Sequence, residues 1–156
     1  MDDFRRANTG GLRNEVPLTE EQKAEAVGYA MFLGMPRDKI NIVEHCFTGY
    51  AQNWDILTIG TDVLPLGKRT KNPNSNISLK GTIAHEIVGH RDAKCGGFTQ
   101  TDGLLEEAQA SIRAARFAPD LSRIERIDLL KDGIYRLNKR NIRIRSVKNK
   151  LHINER

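Results

Sequence analysis

The sequence predicts an α+β domain, a small sheet covered by helices, and three observations carry that expectation. Two stretches, residues 40–46 and 54–60, alternate apolar and polar positions with the two-residue period of a half-buried strand. Four longer stretches instead carry apolar residues at helical spacing between capping and breaking residues. At 156 residues the chain also suits one domain, long enough to bury roughly two-thirds of its unfolded surface without a staple.

Residues 1–17 are polar, glycine-containing and aperiodic, and are expected to form a flexible lead-in or linker, with a single domain over residues 18–156. Thr19-Glu20-Glu21-Gln22 is a capping box, and Ala26, Val27, Ala30 and Met31 follow at helical spacing until Gly34 and Pro36 stop the run. The two strands are expected to pair as a hairpin through the turn-like segment 48–53. His45, at the end of the first, reads as an ordinary surface or core histidine. Residues 61–78 form a long polar connection, either a substrate rim or a solvated loop.

The next helix, from Ser78 to the break at Cys95-Gly96-Gly97, holds the stretch that decides the functional reading: His85-Glu86-Ile87-Val88-Gly89-His90. Two histidines four residues apart on a helix share a face, about 40° from each other, and can bind one metal ion. His85 and His90 are five apart and would diverge by about 140° on a regular helix. They can meet only if the helix carries a π-type expansion between Glu86 and His90, with Gly89 the natural place to absorb it. Burying two histidines and a glutamate on an apolar face is costly unless they are paired or ligated.

A second helix, Thr101 to Phe117, supplies carboxylates for a third ligand. Glu107 adjoins its inner side, Glu106 precedes it, and Asp92 next to His90 is a rival. Two imidazoles, one carboxylate and water would make an open zinc site, with Glu86 as general base for metal-assisted hydrolysis. The oxyanion donor is left among Tyr50, Tyr135 and an arginine.

A third helix begins at the capping box Ser122-Arg123-Ile124-Glu125, with Leu121, Ile124, Ile127, Leu130, Ile134 and Leu137 as its expected buried stripe, weakened at Gly133. Residues 141–148 alternate as a strand with basic residues on one face, an expected edge strand or partner-binding strip.

The motif His85-Glu86-Ile87-Val88-Gly89-His90 resembles the H-E-x-x-G-H motif of the dipeptidyl peptidase III family of zinc peptidases. Glu106-Glu107-Ala108-Gln109-Ala110-Ser111 is similar to that family's E-E-x-x-A-[ED] helix, except that Ser111 stands where the family has an acid. The resemblance implies Glu107 as third zinc ligand, Glu106 as a supporting group, and a Ser111 hydroxyl that holds a ligand histidine less strongly than a carboxylate. More broadly, the run from Ile59 to Ser111 resembles the small metallopeptidase-like domains of bacterial polymorphic and Rhs-type toxins. That implies a zincin-like fold, a protein or peptide substrate, delivery within a larger toxin polypeptide, and a cognate immunity protein as partner.

Composition limits the alternatives. With 38% hydrophobic and 29% charged residues and no long apolar run, the chain is not expected to enter a membrane, and its first residues lack the apolar segment of a signal peptide. Cys46 and Cys95 are expected to be free thiols. The net charge of +5, concentrated from Arg136 to Lys150, admits a second reading: a non-enzymatic basic domain that contacts nucleic acid or an acidic protein. Only 6% of residues are aromatic, which disfavours nucleic acid.

Overall fold

The structure, a computed structural model, describes residues 13–156. Among them the chain is α+β, with five helices and one mixed three-stranded sheet. Helix α1, Glu20–Phe32, opens on the expected capping box, in which Thr19 accepts from the Gln22 amide. It lays Ala26, Tyr29 and Ala30 into the core, while Met31 turns outward.

The sheet has the order β1-β3-β2, with β1 Ile40–Ile42, β2 Gly49–Ala51 and β3 Ile56–Ile59. The expected hairpin between residues 40–46 and 54–60 is corrected here. β1 runs parallel to β3, and the antiparallel partner of β3 is β2, from the segment read as a turn. The actual turn is 52–55, where Asp55 takes a positive φ and Trp54 is exposed. A three-residue strand is too short for its period to register, and the exposed tryptophan mimicked a strand position. Residues 61–78 contain two 3-10 turns, Thr61–Val63 and Pro73–Asn76.

Helix α2 starts at the Ser78 cap as Leu79–Ala84, widens to a π-helix over His85–Asp92, and closes as Ala93–Cys95. Helix α3, Gly103–Phe117, is capped by Asp102, which accepts from the Leu104 and Leu105 amides. It packs on the π segment of α2 and on α4, Arg123–Asn138. One apolar core joins the sheet to α1, α2 and the end of α3; a second joins the start of α3 to α4 and the C-terminal residues Leu151 and Ile153.

Two further expectations are corrected. On α4, Ile124, Ile127 and Leu130 face solvent, while Asp128, Asp132, Gly133 and Arg136 are buried. The helix is turned so that Gly133 can press against Ile112, where a β-carbon would stand 2.5 Å from Cγ1. The glycine is a packing site and not a weakness. The tail forms no strand: Asn141 takes a positive φ and α5, Ile144–Val147, follows. Ile144, Val147 and Leu151 pack together at i, i+3 and i+7, and this helical spacing prevails where no sheet edge is on hand.

Residues 1–12 of the expected lead-in lie outside the described residues. Arg13 belongs to the body of the fold: it is buried and donates to Asp62 O, Asn74 O, Ile77 O and Thr82 Oγ1. Both cysteines are free thiols. No helix among the described residues is long and apolar enough to cross a membrane.

Candidate metal centre

The π segment answers the spacing problem of the two histidines. Its hydrogen bonds run from residue i to i+5, so residues five apart stack over one another. His85 and His90 are therefore neighbours, with ring centres 4.8 Å apart and planes nearly perpendicular. The expansion covers all of His85–Asp92, a longer stretch than the single bulge expected from the spacing.

Gly89 lies within the expanded segment and has a second task besides. A β-carbon there would stand 2.4 Å from the carbonyl oxygen of Ala110 and 2.7 Å from its α-carbon, so only glycine lets α2 and α3 approach this closely. That approach carries Glu107 and Ser111, on either side of Ala110, up to the histidines. Without it, Glu107 would not reach the histidines.

Three atoms converge. His85 Nε2 and His90 Nε2 are 3.2 Å apart, and Glu107 Oε2 lies 3.4 Å from the first and 2.9 Å from the second. Three donors each 2.0–2.1 Å from a tetrahedral zinc would stand about 3.3 Å from one another, close to this spacing. The three residues are all buried and form a group that could hold a metal ion. Buried Glu107 Oε2 faces the two imidazole nitrogens at ion-pair distance and makes no well-formed hydrogen bond, so three potential ligand atoms converge on one point. The donor set therefore fits a cation.

Asp92, the rival ligand, is exposed and outside the cluster. Glu106 also stands outside it: its Oε1 lies 3.5 Å from His90 Nδ1, behind that ring, and accepts from Gln52 Nε2 at 2.9 Å. His45 is exposed, beyond the end of β1, and is not among the three clustered residues. Glu86 is buried, and its Oε2 accepts from the Tyr50 amide of β2 at 3.1 Å, so the candidate base is tied to the sheet.

Electrostatics follow from this crowding of carboxylates. Burial by itself lowers the pKa of His90, but Glu107, Glu106 and Glu86 outweigh it and push the pKa up to about 10. For Glu107, burial acts upward, and the two histidines override it to hold the carboxyl well below its ordinary value. Without metal, the centre is a buried imidazolium–carboxylate pair.

A cleft of about 560 Å³ opens beside His90 and Glu107, lined also by Tyr50, Gln52, Trp54 and Glu106. Its rim comes from the β2–β3 turn and not from residues 61–78, which correctly read as a loop but contribute no lining. The candidate oxyanion donors divide accordingly. Tyr50 reaches the cleft, yet its hydroxyl donates to Asp55 Oδ1 at 2.6 Å; Tyr135 is elsewhere, on α4, under Lys139.

Behind His85 the expected Ser111 contact continues into Asp132 and Arg136, which the sequence reading missed. His85 Nδ1 lies 2.9 Å from Ser111 Oγ, Ser111 donates to Asp132 Oδ2 at 2.6 Å, and Arg136 Nε donates to the same oxygen at 2.9 Å. A signal was present in the four-residue spacing of Asp128, Asp132 and Arg136 along α4, one polar face on a helix otherwise read by its isoleucines. No protein family, curated protein or solved structure matches this chain.

Proposed function

We propose that the chain is a zinc-dependent hydrolase with a zincin-like site, a metallopeptidase in which His85, His90 and Glu107 hold the metal. The observation that carries the reading is the convergence of three buried donor atoms, His85 Nε2, His90 Nε2 and Glu107 Oε2, at tetrahedral spacing. Two histidines and one carboxylate leave a coordination position open, the ligand set of a catalytic and not a structural zinc. Bound zinc supplies Lewis acidity, polarising a carbonyl and making water acidic near neutral pH.

The remaining work falls to this chain's own groups. Glu86, next to His85 and steadied by the Tyr50 amide, takes the proton of the attacking water on its carboxylate and passes it to the leaving amine nitrogen. Glu106 stands behind His90 and fixes the ring that faces the cleft. The cleft and its exposed Trp54 offer room and an apolar surface for a polypeptide segment. A role as a toxin domain, with delivery in a larger polypeptide and an immunity protein as partner, belongs to the same proposal and draws its support from the sequence resemblance.

Glu86→Gln tests the assignment. It is expected to keep one zinc per chain while amine release from a mixed peptide library falls by about 10²- to 10⁴-fold. A variant that cleaves as fast as the parent would remove Glu86 from the mechanism.

A further inference from the structure

We propose that Asp132 is the positioning residue of His85, acting through Ser111 and braced by Arg136, an inference that rests on the metal-site reading above. The four groups form a single file from α2 through α3 to α4, with contacts of 2.9, 2.6 and 2.9 Å. All four residues are at most 3% exposed, so water does not compete for these bonds.

The direction of the protons follows from what each group can do. A carboxylate only accepts, so the one hydroxyl proton of Ser111 points to Asp132 and leaves the serine oxygen free to accept. His85 must then carry its proton on Nδ1, which leaves a bare lone pair on Nε2, the atom facing His90 and Glu107. A serine alone would not decide this. It could equally donate to Nδ1, moving the imidazole proton to Nε2 and removing the ligand atom. Asp132 closes that alternative, so the departure at Ser111 is made good by a carboxylate one helix further away.

The pair Asp132–Arg136 does not account for itself as a stability device. Both donors meet on Oδ2, whereas Asp132 Oδ1 has no hydrogen bond, and α4 leaves Ile124, Ile127 and Leu130 in solvent while it turns this ion pair inward. Buried ion pairs are seldom better for stability than apolar residues of similar size. A device that sets the tautomer of a metal ligand explains the placement.

The test is zinc affinity by chelator competition, with melting of the metal-free proteins alongside, for the parent and for Ser111→Ala, Asp132→Asn, both together, Ser111→Thr, and Asp132→Asn with Arg136→Gln. Ser111→Ala and Asp132→Asn are each expected to weaken zinc binding by about 10- to 100-fold. The double variant should be no weaker than the weaker single one, because both act on one bond, and Ser111→Thr should restore parental affinity. Asp132→Asn with Arg136→Gln removes both charges of the pair together and should show the same zinc loss in a stably folded protein. Parental affinity in that variant and in Ser111→Ala, or losses that multiply in the double, would overturn the positioning role alone. A parent that binds no zinc would overturn the metal reading and this inference together.

Discussion

Two of the buried polar clusters among the described residues, one around Arg13 and one around His85, are completed in different ways. Around Arg13, each guanidinium nitrogen finds an oxygen of the protein, among them Asp62 O at 2.6 Å, Asn74 O at 2.6 Å and Thr82 Oγ1 at 2.7 Å. The neighbouring Asp62 carboxylate accepts from both the amide and the hydroxyl of Thr48. Around His85, His90 and Glu107, three potential ligand atoms crowd within 3.4 Å of one another and face each other instead of protein groups around them. The first cluster staples residues 61–82 to the chain ahead of α1 by its own means. The second is a group that could hold a metal ion, and the proposed function assigns it that role.

Breaking each cluster should therefore have opposite signatures. Arg13→Met strands several buried carbonyl oxygens and is expected to cost about 3–5 kcal/mol in urea unfolding, equally with and without zinc. Glu107→Gln should instead abolish the gain in melting temperature that zinc gives the parent. A zinc-dependent penalty for Arg13→Met would erase the distinction.

Gly89→Ala pushes a methyl group into the Ala110 backbone and should cost about 1–3 kcal/mol. Because the helices must part at the point that delivers Glu107 and Ser111, zinc affinity should fall with it. Unchanged zinc binding in a destabilised variant would show that the close approach serves packing alone.

The third prediction concerns pH. The folded-state pKa of His90 is raised to about 10 from an ordinary 6.5, so the stability linked to its charge is complete below about 6.5 and is lost as pH rises through about 10. Metal-free protein should lose stability across that window, and zinc, which takes the place of the proton, should remove the decline. Thermal melts at pH 6, 8 and 10, with zinc or a chelator, measure it; a flat metal-free profile would mean His90 is not paired with Glu107.

The smallest effect is at the rim. Trp54→Ala removes an exposed ring from the cleft and should leave stability within about 0.5 kcal/mol. Peptide cleavage should show a raised KM with little change in kcat, and a fall in kcat alone would place the ring nearer the reacting bond.

What could be read from the sequence was whatever repeats at short range or carries unusual chemistry. The capping boxes at Thr19 and Ser122 state their helices locally, and histidines five apart can meet only through a helix expansion, which the structure shows over a longer stretch than a single bulge. The approach of Glu107 to the histidines was reachable because that residue adjoins the inner side of the next helix. What could not be read depended on orientation between elements. Three-residue β2 has no period, and the isoleucines of α4 obey a helical stripe that its ion pair overrules. The serine at position 111 looked like a weakened acid because its partner, Asp132, lies 21 residues away on another helix. Gly89 was noticed for the freedom of its backbone, whereas its importance lies in the atoms of Ala110 that it allows close.

The most direct test of the metal centre is calorimetric zinc titration near pH 7.5 in buffers of different ionisation enthalpy. The parent and Glu86→Gln should each take up one zinc ion and release about one proton, that of His90, whereas His85→Ala, His90→Ala and Glu107→Ala should show no comparable binding. A parent that takes up no zinc, or a Glu107→Ala variant that binds it as tightly, would contradict the account.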